Sequence, residues 1–185
     1  MVMSQTPTIE PLAGKSFGLI ADAHIHPGKG VALPARVADV FSGVDAIVAL
    51  GDLGEAAGLD VLEKIAPVVG VTGADDAPGD ARIAGEARLF AVGDLAVGAV
   101  FDGVKQSLFS SSDPLVPVAD FANAAIRRFG RKIDVLLCAS THTPVVASVA
   151  GILIVNPGSP TLADTTTLAV LHIDGHVARV AHLSV

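Results

Sequence analysis

Tryptophan and tyrosine are absent from this chain, and seven phenylalanines are its only aromatic residues. Ala, Val and Leu are therefore expected to fill most of the interior. That agrees with a hydrophobic fraction of 51% over 185 residues, enough for one domain with a sizeable core. Cysteine is nearly absent too. Cys138, embedded in IDVLLCAS, can form no disulfide within the chain and reads as a buried strand thiol rather than a nucleophile. Basic residues are scarce: twelve Lys and Arg against nineteen Asp and Glu give a formal charge of −7. That charge repels a phosphate backbone and excludes nucleic acid as a bulk electrostatic partner. Mean hydropathy is high, at +0.60, yet no apolar run approaches the roughly 18 residues of a membrane span, because Asp, Gly, Pro or Lys punctuates every stretch. The N-terminal MVMSQTPTIEPLAGK has no basic segment followed by an apolar one. We therefore expect residues 1–15 to be a flexible lead-in, and the chain to be a cytoplasmic single domain over 1–185.

Short runs rich in Val and Ile are present instead: SFGLIAD, DAIVALGD, PVVGVTGADD, ARLFAVGD, LAVGAVFDG, KIDVLLCAS, TPVVASVAG and GILIVNPGS. They read as strands, most of them buried on both faces. Three helical patterns lie among them. Val37, Val40 and Phe41 form an apolar stripe after Pro34 that ends at Gly43, with Pro early and Gly late. Leu59, Leu62 and Ile65 repeat the spacing before Pro67, and Phe121, Ala125 and Phe129 do so before Gly130. The last segment, TTLAVLHIDGHVARVAHLSV, predicts a hairpin turning at Asp174-Gly175. The Ser-rich stretch at 107–114 predicts a surface loop that could serve as a flap. The sum is an α/β layered domain with a closing meander.

Ligands of open α/β sheets gather at the carboxyl ends of strands, so the polar residues there carry weight. The first strand ends in Asp22-Ala23-His24 and the second in Gly51-Asp52-Leu53-Gly54. The third ends in Gly73-Ala74-Asp75-Asp76, and a later one in Phe101-Asp102-Gly103. Two more end in Ser140-Thr141-His142 and Asn156-Pro157-Gly158-Ser159. Singly, each Asp has an ordinary use as a cap or turn former. Together on one rim they repel one another unless a cation neutralises them. Mixed carboxylate and imidazole donors suit Mn, Fe or Zn better than Ca or Mg.

The ordered series D-x-H, GD, a degenerate GN-x-D, a strand ending where HG is expected, a degenerate GHTH, and NPGS resembles the calcineurin-like metallophosphoesterases. Within them it is most similar to the small bacterial and archaeal phosphodiesterase branch, which includes the phosphoesterase-fold subunit of retromer. The resemblance spans Ser16 to about Pro160. It implies a four-layer α/β/β/α sandwich of two mixed β-sheets flanked by helices. It also implies a metal held by Asp22, His24, Asp52 and His142, with an activated water as nucleophile.

The second metal of such proteins fares worse. Its matching positions are Asp52, Ala74, Asp102 and Ser140, and three of those four have changed. Ala74 has no donor atom and Ser140 is a poor ligand. A shifted second site of Asp52, Asp102 and Asp75 is the alternative, while Asp76 is assigned to loop architecture. Two ions about 4 Å apart clamp a phosphoryl group jointly, and a single ion gives up part of that stabilisation. The expectation is a metal-dependent phosphoesterase, weak and mononuclear, acting on a phosphodiester or a small phosphorylated compound. The other reading is an inactive phosphoesterase fold that binds a protein partner or a second copy. His26 is expected to lie at the surface or to support the ligands from behind rather than to bind a metal, and His172, His176 and His182 to be partly exposed residues of the last strands and their turn.

Overall fold

The computed structural model describes residues 6–112 and 115–185. In chain order the strands and helices begin with β1 (Ile9–Pro11), β2 (Ser16–Ile20), α1 (Arg36–Val40) and β3 (Ala46–Ala49). They continue with α2 (Ala56–Glu63), β4 (Val68–Gly70), β5 (Ala87–Val92), β6 (Leu95–Val100), β7 (Phe109–Ser112) and β8 (Leu115–Pro117). Then come α3 (Phe121–Phe129), β9 (Val135–Leu137), β10 (Pro144–Val149), β11 (Ile152–Pro157), β12 (Thr167–Asp174) and β13 (Val177–Ser184). A short 3-10 turn, Pro27–Lys29, follows β2.

Two mixed sheets pack face to face. One is six-stranded in the order β1-β5-β6-β9-β11-β10, the other five-stranded in the order β13-β12-β2-β3-β4. Strand alternation assigns each residue to its layer. Along β2 and β3, Phe17, Leu19, Ala46 and Val48 point between the sheets, where they meet Phe90, Val97, Val135 and Val155. The intervening Ile20, Ile47 and Ala49 face outward onto Val37 and Phe41 at α1 and Leu59 and Leu62 of α2. Likewise Val135 and Leu137 of β9 face the sandwich. Leu136 and Cys138 turn instead to α3, whose Phe121, Ala125 and Phe129 are buried against them. Each fully buried aliphatic or aromatic side chain of this kind contributes about 1.5–3 kcal/mol. Helix approach is close: a Cβ at Gly18 of β2 would lie 2.7 Å from the Phe41 ring, so only glycine fits there. The four layers are those expected.

Three local expectations are corrected. The lead-in is not loose throughout, because Ile9–Pro11 runs parallel to β5 and Leu12 N–H donates to Ala91 O at 2.9 Å. Arg88 Nε also donates to Glu10 Oε1 at 3.1 Å, tying the strand down. A three-residue strand ending in proline is too short to show alternation. The stretch expected as a loop at 107–114 contributes β7 to a hairpin with β8, and Leu108 and Phe109 are buried in the α3 layer; residues 113–114 lie outside the described ones. The closing hairpin turns one residue later than expected. Asp174 pairs with Val177, so Gly175 and His176 form the loop, and Gly175 takes the left-handed φ of +58°.

Candidate metal centre

The parallel pairing of β2 with β3 outlasts the strands. Asp22 N–H donates to Gly51 O at 3.0 Å, His24 N–H to Asp52 O at 2.9 Å and Ile25 N–H to Leu53 O at 2.8 Å. The two strand ends therefore travel together and deliver Asp22, His24 and Asp52 to one place. From the other sheet, the chain leaving β9 brings Ser140 N–H to Asp22 Oδ2 at 3.1 Å and carries His142 in after it. The loop after β11 closes the gap: Ser159 Oγ donates to Asp22 O and Thr161 Oγ1 to Ala23 O, both at 2.7 Å. The site thus spans the carboxyl ends of both sheets.

Among the described residues, Asp22, His24 and His142 form the one group of metal-capable side chains whose ligand atoms all lie within 4.8 Å of one another. His142 Nε2 is 4.0 Å from Asp22 Oδ1, and the two imidazoles stack with centroids 5.4 Å apart. Asp52 stands at the edge of this group, its Oδ2 3.8 Å from His24 Nε2. Both imidazoles are held from behind. His142 Nδ1 lies 2.9 Å from Leu162 O, a carbonyl that can only accept, so Nδ1 carries the proton and Nε2 is left with its lone pair. His24 Nδ1 is 2.7 Å from Asp75 Oδ2, which disposes its Nε2 in the same way.

Asp22 shows most directly that this arrangement suits a cation. The residue is fully buried, and its Oδ1 has no hydrogen-bond partner. Burial pushes its carboxyl up to about 6, and neighbouring Asp52 pushes the same way against the pull of His142. A buried carboxylate oxygen without a donor is costly, and a positive ion beside it removes the cost. Backbone strain gathers here as well. Of the seven non-glycine residues with positive φ among those described, five are Asp22, His24, Asp52, Ser140 and His142. Such conformations cost on the order of 1–3 kcal/mol each and persist where surrounding structure enforces them.

In the alternative second set of Asp52, Asp102 and Asp75, each carboxylate has hydrogen-bond partners of its own. Asp75 Oδ2 is shared by His24 Nδ1 and by His26 Nε2 at 2.8 Å, and its backbone N–H donates to Asp52 Oδ1 at 2.8 Å. The His24 bond holds the Asp75 carboxyl below the usual carboxylate range. Asp102 Oδ1 instead accepts the N–H groups of Val104 and Lys105, at 2.9 and 3.1 Å, within its own turn. Asp76 takes the architectural part expected of it: its carboxylate accepts from the N–H groups of Asp52, Leu53, Gly54 and Gly73. His26 joins the array through Asp75, and His182 Nε2 lies 2.7 Å from Asn156 O. Asp75 as support for His24, and the Leu162 carbonyl as support for His142, escaped the sequence reading. The Asp75-Asp76 doublet and the alternation of His24 with His26 were the available signals.

A sandwich of two mixed sheets with carboxylates and imidazoles converging at strand ends is an arrangement that can hold a divalent metal ion. The sequence matches the calcineurin-like phosphoesterase superfamily domain over residues 16–176, and the chain belongs to that superfamily. A probable metallophosphoesterase of Methanocaldococcus jannaschii is 32% identical over 148 residues, 79% of this chain and 68% of that protein. The fold is shared with zinc-complexed wild-type Vps29 of Entamoeba histolytica, at a TM-score of 0.69 and 19% identity over 91% of this chain and 98% of the other. It is shared also with a novel archaeal phosphodiesterase, at a TM-score of 0.64 and 18% identity over 91% and 99%.

Proposed function

We propose that the chain is a cytoplasmic metal-dependent phosphoesterase that hydrolyses a phosphodiester or a small phosphorylated compound slowly, with one transition-metal ion held by Asp22, His24, Asp52 and His142. The observation that carries this reading is the partnerless buried Oδ1 of Asp22 beside two imidazoles whose Nδ1 atoms are already engaged. Superfamily membership and the archaeal relative support the reaction class. A divalent ion held there, Mn, Fe or Zn, would supply Lewis acidity to a phosphoryl oxygen and to water. The chain's own part is orientation. Asp75 and Leu162 O fix the ring planes of His24 and His142, and Asp76 fixes the loop that presents Asp52. Slow turnover follows from the donors missing for a second ion, Ala74 foremost.

Hydrolysis of bis-p-nitrophenyl phosphate with added Mn²⁺ tests the proposal. Turnover should require the metal and fall at least about 100-fold in Asp52→Asn and in His142→Ala. Turnover that persists in both variants contradicts it. The missing donors at Ala74 and Ser140 favour one second reading, a fold kept as a binding module for a protein partner. Absence of turnover on any phosphoester, with a stable hetero-complex on sizing, would select that reading.

A further inference from the structure

We propose that His26 is a positioning residue of the metal centre, holding the Asp75 carboxylate that in turn orients the ring of His24. The inference deepens the phosphoesterase reading and rests on it. Asp75 Oδ2 lies 2.7 Å from His24 Nδ1 and 2.8 Å from His26 Nε2. A carboxylate oxygen only accepts, so both rings direct an N–H at the same atom. One bond to His24 would leave the carboxylate free to turn, since the terminal torsion of an aspartate has a broad well and the Asp75 side chain is 34% exposed. The bond from His26 removes that freedom. Asp75 also donates its backbone N–H to Asp52 Oδ1 at 2.8 Å, so the residue that His26 steadies touches two of the four proposed ligands.

His26 can hold another residue because it is itself held. Its backbone N–H donates to Val31 O at 3.0 Å, and its carbonyl accepts from the N–H groups of Lys29 and Val31 at 2.8 and 3.1 Å. One residue earlier, Ile25 N–H donates to Leu53 O at 2.8 Å and Ile25 O accepts the Glu55 N–H at 2.9 Å. The chain there runs so close to Gly54 that a Cβ on that glycine would stand 2.6 Å from Ile25 N and O. The His26 imidazole is 19% exposed, less than the carboxylate it meets. Its other nitrogen, Nδ1, is 3.4 Å from Oε1 of the exposed Glu55, a separation at which a hydrogen bond is weak, so Asp75 is the partner that fixes the ring. Among the described residues the ligand group is Asp22, His24 and His142, and His26 stands outside it. It therefore acts on the ion through Asp75 and His24, as the outer partners of metal-bound imidazoles do.

Co²⁺ titration of the full chain, read by the visible absorption of the bound ion, tests this together with the imidazole N–H proton resonances of the metal-free protein. His26→Leu should weaken Co²⁺ binding about three- to tenfold, less than loss of Asp75 itself, and shift the visible band. It should also let the His24 Nδ1–H resonance broaden by exchange with water. His26→Gln, whose amide N–H can replace the Nε2 donor, should restore all three readouts. In an Asp75→Ala background His26→Leu should add less than about twofold, because the two residues act in series. Co²⁺ affinity and spectrum unchanged by His26→Leu, or altered equally by His26→Gln, overturn the inference and leave the proposed function standing. A chain that takes up no Co²⁺, yet keeps a His24 resonance that depends on His26, overturns the proposed function and leaves the positioning of His24 standing.

Discussion

Asp22 concentrates the conflict that the whole site resolves. It is fully buried, it adopts a left-handed φ of 51°, and one of its oxygens has no donor. Local preference would place such a residue in a solvated turn, and its burial in this form is expected only where something binds it. Asp22, His24, Asp52 and His142 were legible in the sequence because their chemistry and their place at strand ends speak together. The support that Asp75 gives His24 was not, since the sequence offered Asp75 only as a second-metal ligand or as a turn former beside Gly and Pro. Its contact with His24 depends on where the third strand's loop lands relative to the first. The contact gives a sharp expectation: Asp75→Asn should lower metal affinity about 10–100-fold while the far-UV circular dichroism is unchanged. Affinity equal to that of the unaltered chain would show that Asp75 does not position His24.

At the scale of elements, the pattern of apolar runs and three-and-four spacing located the core strands and the three α-helices among the described residues, even where these are only three to five residues long. It missed β1 and the β7–β8 hairpin, which have three or four residues per strand and owe their form to neighbours. It also assigned the Ser-rich segment to a flap, whereas Leu108 and Phe109 anchor it in the α3 layer. The helices hold the sheets that hold the site. In α3, Phe129 is 1% exposed and packs on Gly98 of β6. Phe129→Ala should cost about 3–5 kcal/mol of unfolding free energy in denaturant titration. Metal affinity should stay within about twofold, because α3 lies on the sheet face away from the sandwich and its loss changes no ligand. A loss below about 1 kcal/mol would show that this layer collapses around the cavity and that the helix matters little.

For the molecule as a whole, a charge of −7 and a strand-end rim of carboxylates would make a bound cation the organising feature of the proposed functional end. Both sheets contribute to that end, so metal binding should couple to global stability. An ion at 100 times its dissociation constant adds about 2.7 kcal/mol if the unfolded chain does not bind it. The fold alone does not decide between hydrolysis and partner binding, and the same architecture serves proteins of different use. What decides is whether four side chains from two sheets share a cation. The most direct test is metal content per chain after purification without chelator, for the unaltered protein and for His142→Ala. We expect one equivalent in the first and less than a tenth in the second. No metal in the unaltered chain, or a full equivalent retained by His142→Ala, would contradict the account.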